Sequence, residues 1–286
     1  MKISEIYQGA SPALSFEFYP PKSPEGEQRF FEKLPAFKAL SPTYCSMTYG
    51  TGGNTRDKTV GWVKKIKYEF GMETMCHLTC VGQSREQIRS VLGELAQAGI
   101  ENLIALRGDP PQGDSAWRPH PDGFVHAIEL VREAAGLGQF SIAVAGFPEV
   151  HPHAVSAEDD LRYLKEKVDA GADAVITQLF FDNEDYFRYV DRARRLGVLV
   201  PIIPGLLPIR SVAQVRRFTA LSKAIIPAEL EAELKKFEND DEGALRLGIE
   251  YASRQCQGLL KAGVMGLHFF TLNEPRSIAA IIKNIT

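Results

Sequence analysis

The sequence has few cysteines and no long apolar run, and each absence excludes a class of protein. Four cysteines among 286 residues are too few for a disulfide framework, which favours a reducing compartment. No apolar run approaches the length of about 18 residues that a membrane-spanning helix needs. The first ten residues lack the apolar core and cleavage site of a secretory signal. We therefore expect a cytoplasmic protein that does not act at a membrane.

An excess of charge of one sign is also missing. The 33 basic and 36 acidic side chains leave a formal net charge of −3, with an isoelectric point near 6.1. This balance gives no electrostatic reason to expect nucleic acid as a partner. Hydrophobic residues make up 44% of the chain and charged residues 24%, which is ordinary for a globular protein with a large core.

Short apolar runs alternate with longer amphipathic stretches, and eight of these runs are strand candidates. They are Leu14–Phe18, Tyr44–Thr48, Glu73–Thr79, Asn102–Leu106, Ser141–Ala145, Ala174–Phe180, Val200–Pro204 and Gly266–Phe270. Most are apolar throughout, as expected for parallel strands covered on both faces. Eight strands in strand–helix order predict one catalytic (βα)8 TIM-type barrel over residues 1–286. The alternative is an open doubly wound sheet, which would usually have fewer strands and a glycine-rich first turn.

The stretches between the runs carry helix signals. Ser23-Pro24 is typical of a helix N-cap followed by a first-turn proline. Capping boxes are predicted at Ser84/Gln87, Ser156/Asp159 and Ser211/Gln214, and helix ends at Gly99, Gly171 and Gly197. Two segments interrupt the alternation, namely the Pro/Gly-rich residues 109–123 and an acidic, extra helical segment, Ile226–Gly243, between strands seven and eight.

Glu17 is the most informative polar residue at the strand ends, where the chemistry of (βα)8 barrels collects. It is a carboxylate within an otherwise apolar and aromatic strand, a costly position unless the group is paired or protonated. Burial beside Phe16 and Phe18 favours the protonated form, which a general acid needs. The alternative is a structural ion pair with a barrel arginine such as Arg107.

Two further strand ends carry candidate site residues. Asp109 follows Arg107-Gly108 and is suited to face a bound ring system, or else it is a loop carboxylate held by Arg107. Gln178 is an amide in a buried strand, and its donors and acceptors suit the edge of a heterocycle. A core amide bonded to the neighbouring strand is the alternative for Gln178.

Patterns for metal and nucleotide binding are incomplete. The first strand has no His-x-His pair, so His77 and the His151-x-His153 loop give weak support for a metal-dependent hydrolase, and we expect no metal. In Gly50-Thr51-Gly52-Gly53-Asn54-Thr55 the third glycine of the Rossmann pattern is replaced by Thr55. The backbone amides of this turn remain candidates for holding phosphate.

Eight motifs in chain order resemble the bacterial methylenetetrahydrofolate reductases. They are Ser15–Pro21, Thr48–Gly50, His77–Cys80, Ala105–Asp109, Pro148–Pro152, Lys167–Ala172, Ile176–Asp182 and Phe270–Asn273. That family is a (βα)8 barrel that binds FAD without a Rossmann motif. The resemblance implies FAD as the cofactor, NADH or NADPH as the reductant and a folate as the substrate. It also implies a ping-pong reaction that converts 5,10-methylenetetrahydrofolate to 5-methyltetrahydrofolate.

The resemblance also implies roles for individual residues. Glu17 matches the acid, Asp109 the carboxylate between flavin and pterin, and Gln178 the amide that meets substrate and nicotinamide in turn. Cofactor contacts are implied at Thr48, Tyr49, Thr51, His77, Arg107, Gly108, Asp109, Ala127, Phe147, His151, Ala154, Asp160 and Lys167. Substrate contacts are implied at Asp109, Gln178, Gln214 and Phe218.

Three positions depart from the family pattern. Phe147 and His126 stand where we expect tyrosine or another phenol near the flavin, and Glu274 stands where arginine is common and could meet the folate tail. We expect a homo-oligomer without the regulatory domain of eukaryotic relatives. The alternative hypothesis is a non-catalytic or partner-dependent barrel subunit of a one-carbon complex.

Overall fold

The computed structural model describes residues 1–9, 11–49, 56–108 and 118–286, with only the backbone for Arg56 and Asp57. Two predicted site residues, Thr51 and Asp109, lie outside the described residues. So do the glycine-rich turn 50–55 and most of the predicted insertion 109–123.

Eight parallel strands form a closed barrel in chain order. They are β1 (Ala13–Phe18), β2 (Tyr44–Met47), β3 (Thr74–Thr79), β4 (Asn102–Leu106), β5 (Ser141–Gly146), β6 (Ala174–Leu179), β7 (Ile202–Leu206) and β8 (Gly266–Phe270). The ring closes where β8 pairs with β1, with Ser15 opposite His268 and Glu17 opposite Phe270. The predicted (βα)8 class is confirmed, because an open doubly wound sheet would leave both edge strands unpaired.

Helices precede, connect and follow the strands, and all but the first cover the outside of the barrel. They are α1 (Ile3–Ile6), α2 (Pro24–Lys38), α3 (Arg56–Tyr68), α4 (Arg85–Gln97), α5 (Ala127–Gly136), α6 (Ala157–Asp169), α7 (Asn183–Arg195), α8 (Val212–Ser222), α9 (Ala228–Leu234), α10 (Asp241–Lys261) and α11 (Pro275–Ile285). The extra segment between β7 and β8 consists of α9 and a 3-10 turn at Lys235–Phe237. No helix in the described residues is long and apolar enough to cross a membrane.

The predicted helix ends are confirmed in most cases. Ser84 and Gln87 form a reciprocal capping box, with bonds of 3.2 Å and 2.9 Å. Gly99, Gly171 and Gly197 all have positive φ, as expected for residues that end helices.

Two predicted capping boxes are only half formed. Ser156 Oγ accepts a bond from Asp159 N, but no reciprocal bond to the cap is present between these two described residues. Ser211 Oγ likewise accepts from Gln214 N, whereas Gln214 Oε1 accepts from the backbone N–H of Arg210 instead of the cap.

The predicted bounds of the seventh strand are wrong by two residues. The pattern predicts Val200–Pro204, and the strand runs from Ile202 to Leu206. Pro201 has no N–H to donate, and only its carbonyl takes part, accepting from Val175 N at 2.8 Å. The strand continues through Pro204 and Gly205 because both are buried in the closed barrel. Bounds of several other strands differ by one residue.

The short helix α1 closes the N-terminal end of the barrel. Ile3, Ile6 and Tyr7 are buried against the inward-facing residues of the strands. The backbone N–H of Ile3 donates to Asn102 Oδ1 at 2.8 Å. With this end filled by apolar side chains, polar groups gather at the opposite, C-terminal ends of the strands.

Candidate active site

Glu17 lies near the C-terminal end of β1 and faces two imidazoles. Its side chain is buried, with 5% of the residue exposed. Glu17 Oε2 is 3.3 Å from His268 Nε2 and 3.4 Å from His77 Nε2. The interpretation of Glu17 as the partner of Arg107 is wrong, because Arg107 Nε donates to the carbonyl oxygen of Gly108. The barrel thus places a buried carboxyl group between two histidines.

Burial determines the charge of His77 and of the nearby Tyr19 at neutral pH. Burial lowers the pKa of His77 to about 4, against the opposing attraction of Glu17, while His268 adds to the lowering. His77 is therefore neutral near pH 7. Burial, together with the nearby Glu17 carboxylate, raises the pKa of Tyr19 well above its usual value, so this phenol keeps its proton.

Ser15 contacts His268 on the side of the imidazole ring that faces away from Glu17. Ser15 Oγ is 2.8 Å from His268 Nδ1 and donates to the Leu267 carbonyl oxygen at 3.3 Å. A serine hydroxyl can donate or accept, so this contact is compatible with either tautomer of the imidazole. The His268 Nε2 atom faces Glu17, so Ser15, His268 and Glu17 form a continuous chain of polar contacts inside the barrel.

Sequence reasoning missed His268 and Ser15 as parts of the site. A usable signal was present, since His268 is a polar residue within the apolar eighth strand, just as Glu17 is in the first. The pairing of β8 with β1, which places His268 opposite Ser15, appears only when the barrel closes.

The turn that follows β8 fixes the end of β1. Thr271 Oγ1 donates to the Glu17 carbonyl oxygen at 2.6 Å. The Asn273 side chain accepts from Tyr19 N at 2.9 Å and donates to Tyr19 O at 2.8 Å. Leu272 and Asn273 both have positive φ, 51° and 56°, which brings the Asn273 amide back toward β1. The Thr-Leu-Asn motif therefore positions the backbone on either side of the acid.

Gln178 lies at an irregularity between β6 and β7. The strand register shifts between Ile176 and Leu179, and Thr177 Oγ1 accepts the Gly205 N–H at 2.9 Å. A Cβ at position 205 would overlap the carbonyl oxygen of Thr177, so the close approach requires glycine. Gln178 Oε1 accepts from the Leu179 N–H at 2.9 Å, and the residue is partly exposed. Among the described residues, the Gln178 amide makes no hydrogen bond to the neighbouring strand. The alternative interpretation as a core amide would require such a bond.

The predicted substrate residues on α8 lie beyond β7. Gln214 Oε1 accepts the Arg210 N–H at 3.0 Å. Its Nε2 is buried and has no hydrogen-bond partner among the described residues. Phe218, one turn later, is partly buried against the apolar cluster of α8 and α9. Gln214 therefore retains two N–H donors for a ligand.

Several predicted cofactor residues lie at the ends of β2, β3 and β4. Thr48 N donates to the Phe18 carbonyl oxygen at 2.9 Å, and Tyr49 is buried. Gly108 has φ +82°, and a Cβ there would lie 2.7 Å from Val81 Cγ1. Ala127 is the first residue of α5. At Gly108 the chain passes so close to Val81, just after β3, that only glycine fits.

A second group of predicted cofactor residues joins the loop after β5 to α6. His151 N donates to Asp160 Oδ2 at 3.1 Å, and Ala154 N donates to the His151 carbonyl oxygen at 2.9 Å. Lys167 Nζ donates to the Ala145 carbonyl oxygen at 2.9 Å. Burial lowers the pKa of Lys167 to about 8, against the attraction of Asp160, and burial raises the pKa of Asp160.

The residues of these two groups fit a large cofactor with polar edges and phosphates. Ser46 Oγ, His77 Nε2 and Thr79 Oγ1 are buried and have no hydrogen-bond partner in the part of the chain that the structure describes. Lys167 is a partly buried cation, and the attraction of Asp160 offsets only part of the effect of burial on its pKa. Unused polar atoms and a poorly compensated cation suit a ligand that carries acceptors and negative charge, as FAD does.

The three departures from the family pattern have distinct surroundings. Phe147 packs edge-on against His151, with ring centroids 4.5 Å apart. His126 is exposed and caps α5, with its N–H bonded to Glu129. The reversed charge of Glu274 is compensated locally, because Lys33 Nζ lies 2.7 Å from Glu274 Oε2, and Arg210 lies 3.9 Å from the same oxygen.

Comparison with known proteins identifies the family. A family model described as methylenetetrahydrofolate reductase matches residues 2–286. The chain belongs to the methylenetetrahydrofolate reductase family. The 5,10-methylenetetrahydrofolate reductase of Escherichia coli is 38% identical over 272 residues, covering 95% of this chain and 90% of the relative. Methylenetetrahydrofolate reductase (NADH) 1 of Arabidopsis thaliana is 37% identical over 295 residues, but the match covers 50% of that protein. The chain therefore spans about half the length of the plant reductases it matches.

Solved structures support the fold of this reductase-family chain. A protein from Clostridium thermocellum, described as binding two copies of 5-methyl-5,6,7,8-tetrahydrofolic acid, has a TM-score of 0.66 at 13% identity. The match covers 100% of this chain and 98% of that one. Dihydropteroate synthase from Xanthomonas albilineans has a TM-score of 0.52 at 12% identity. At such low identity, these likenesses show a shared barrel fold alone.

Proposed function

We propose that this chain reduces 5,10-methylenetetrahydrofolate to 5-methyltetrahydrofolate with NADH or NADPH, through FAD, in a ping-pong reaction. The observation that supports this most directly is the buried Glu17 carboxyl group near the C-terminal end of β1, 3.3 Å from His268 Nε2. A reduction of this kind consumes one hydride and one proton, so the site needs a protonated acid at neutral pH. Membership of the reductase family supports the same activity.

FAD, when bound, supplies the hydride chemistry by accepting a hydride from the nicotinamide nucleotide and passing it to the one-carbon unit of the folate. Glu17 gives its proton to the substrate nitrogen that leaves the one-carbon carbon. That bond breaks, the five-membered ring opens to an iminium, and the carbon becomes an acceptor for hydride. The proton stays on the product nitrogen, so Glu17 must be protonated again before the next turnover.

The other site residues orient the reactants. Gln178 meets the pterin and the nicotinamide in turn, and Gln214 and Phe218 hold the folate from α8. Asp109, outside the described residues, is the proposed carboxylate between flavin and pterin. Thr48 is the proposed nicotinamide contact, and FAD is held at Tyr49, Thr51, His77, Arg107, Gly108, Ala127, Phe147, His151, Ala154, Asp160 and Lys167.

The colour of the purified protein tests this function. The protein, as purified or after reconstitution with FAD, should be yellow and should bleach on anaerobic addition of NADH or NADPH. Addition of 5,10-methylenetetrahydrofolate should then restore the colour and yield the 5-methyl product. Failure to bind FAD, or a bleached protein that folate does not reoxidise, would show the proposal to be wrong. Rates of bleaching with each nucleotide identify the reductant.

Lys167 offers a separate test of the proposed FAD site. Lys167→Met keeps the length of the side chain but removes its charge, and should weaken FAD binding at least about tenfold, since bonds to charged groups contribute about 1.5–3 kcal/mol. Lys165→Met is the matched control on the same helix, because Lys165 pairs with Asp169 on the surface. Equal FAD affinity of the two variants by fluorescence titration would place the cofactor elsewhere.

Assembly and compartment remain parts of this proposal. A homo-oligomer and a single catalytic domain stay predictions, as does the cytoplasmic location. Light scattering of the purified protein measures its oligomeric state. The reduction of folate by the isolated chain would separate an enzyme from a partner-dependent subunit.

A further inference from the structure

Glu149 connects the loop after β5 to the turn between α8 and α9. Its Oε1 atom accepts the backbone N–H of Ile225 at 2.9 Å, although 76 positions separate the two residues. The loop after β5 (residues 147–156) carries three of the predicted cofactor residues, and α8 carries two of the predicted substrate residues. The α8–α9 turn (residues 223–227) follows directly on that helix. This hydrogen bond therefore joins the loop proposed for the cofactor to the helix proposed for the folate.

Backbone strain is present on both sides of this contact. Val150, next to Glu149, has φ 74°, in a turn where its N–H donates to the Phe147 carbonyl oxygen at 3.1 Å. Lys223, two positions before Ile225, has φ 64°. Residues other than glycine seldom adopt this left-handed region, and a β-branched valine is especially unfavourable there. Such strain persists only where the surrounding structure fixes the backbone, so both segments are held in the positions that the contact requires.

Two carboxylates at the start of α7 act on Glu149. Asp182 is the N-cap of that helix, and Asp185 pairs with Arg188. Both aspartates repel a negative charge on Glu149. The charged residue of the α8–α9 turn, Lys223, is exposed, and the two histidine rings of the loop after β5 pack against each other. A glutamine would accept the same N–H without this repulsion, so the bond alone does not explain a carboxylate at this position.

The ionised form of Glu149 is unfavourable in this position. Burial raises its pKa to about 7, the bond from Ile225 N opposes the rise, and the two aspartates add to it. The ordinary pKa of such a group in water is 4.5. The protonated carboxyl group still offers an oxygen to Ile225 N. The contact is therefore most stable below pH 7 and weakens as the pH rises through 7, because separation then lets the charged group become solvated.

We propose that Glu149 is a positioning residue for folate binding, and that it acts by holding the C-terminal end of α8 against the loop after β5. While the contact is made, α8 keeps Gln214 and Phe218 in place for the folate. Loss of the Glu149 proton releases the α8–α9 turn and weakens folate binding. This inference rests on the proposed function, because the role of α8 in binding the folate is itself part of that proposal.

The affinity of the FAD-loaded protein for 5-methyltetrahydrofolate tests the proposal. Glu149→Ala lacks the acceptor and should bind about threefold to tenfold more weakly than Glu149→Gln, which keeps an oxygen for Ile225 N. Wild type should match Glu149→Gln at about pH 6 and approach Glu149→Ala at about pH 8. Glu158→Ala, at an exposed glutamate in the first turn of α6, is the matched control and should follow wild type. Equal affinities of the two Glu149 variants, or a wild type that does not move between them, would overturn the proposal.

Hydrogen exchange of the Ile225 amide measures the contact without folate or turnover. After correction for the intrinsic rate at each pH, exchange should be slow in Glu149→Gln and about threefold to tenfold faster in Glu149→Ala. Wild type should change from slow to fast exchange as the pH rises through about 7. Equal protection of this amide in all three proteins would overturn the proposal. The expected exchange in a protein that binds no folate would instead count against the proposed function, and not against the contact.

Discussion

Glu17 Oε2 and His268 Nε2 lie 3.3 Å apart, although 251 positions separate the two residues in the chain. Glu17 is 5% exposed and His268 is fully buried, so neither group is solvated well. The pair lies near the C-terminal ends of the strands, where the chemistry of (βα)8 barrels collects.

Glu17→Gln should separate the two half-reactions. Glutamine keeps the size and polarity of the side chain but cannot give up a proton. Folate reduction should fall by roughly 100-fold or more, the contribution expected of a general acid, while reduction of FAD by the nucleotide stays near wild type. Stopped-flow absorbance of the flavin measures both steps. Normal oxidation of the reduced variant by folate would assign the acid to another residue.

His77 should make the protein less stable in mild acid. Its pKa falls from 6.5 in the unfolded chain to about 4 in the fold, mainly through burial. The unfolded chain therefore binds the extra proton first, and stability that is complete above pH 6.5 is lost as the pH falls toward 4. The loss amounts to about 3 kcal/mol. Denaturant unfolding of His77→Gln should show a flatter pH dependence than wild type, whereas the exposed His153→Gln should not.

Asn273 should stabilise the end of β1 through its side chain as well as its backbone. Asn273→Ala and Asn273→Gly both lose two bonds to Tyr19, at a cost of about 1–3 kcal/mol in the free energy of unfolding. Alanine should cost about 1 kcal/mol more than glycine, because φ is 56° at this position. Denaturant melts of both variants measure the difference. Equal stability of the two would show that the backbone relaxes.

We expect Glu274 to weaken binding of the carboxylate tail of the folate substrate. It pairs with Lys33 and lies near Arg210, and all three side chains are partly exposed. Glu274→Gln should free both cations for the tail carboxylates and lower KM for the folate by roughly two- to fivefold, the size of an exposed ion pair. The gain should shrink at high salt, because exposed charges are screened. A KM that does not change at low salt would place the tail elsewhere.

Residue type and periodicity were enough for the barrel. Eight apolar runs in strand–helix order predicted the (βα)8 fold, and a carboxylate in the first of them made Glu17 a candidate. Its role as the acid comes from the family resemblance and stays a proposal. The bounds of β7 were wrong, since proline at position 201 removes a donor without ending the apolar run. Arg107 was the expected alternative partner of Glu17, but its guanidinium turns to Gly108.

The sequence by itself determined which elements form and which strand ends carry polar chemistry, because propensity and hydrophobic period depend on neighbours within a few positions. Only the tertiary structure decided which polar groups meet. The partner of Glu17 comes from β8, which reaches β1 only when the barrel closes. Ser15 on β1 lies 2.8 Å from His268 Nδ1 on β8. Their hydrogen bonds depend on packing across the barrel interior, which no local pattern of residues encodes.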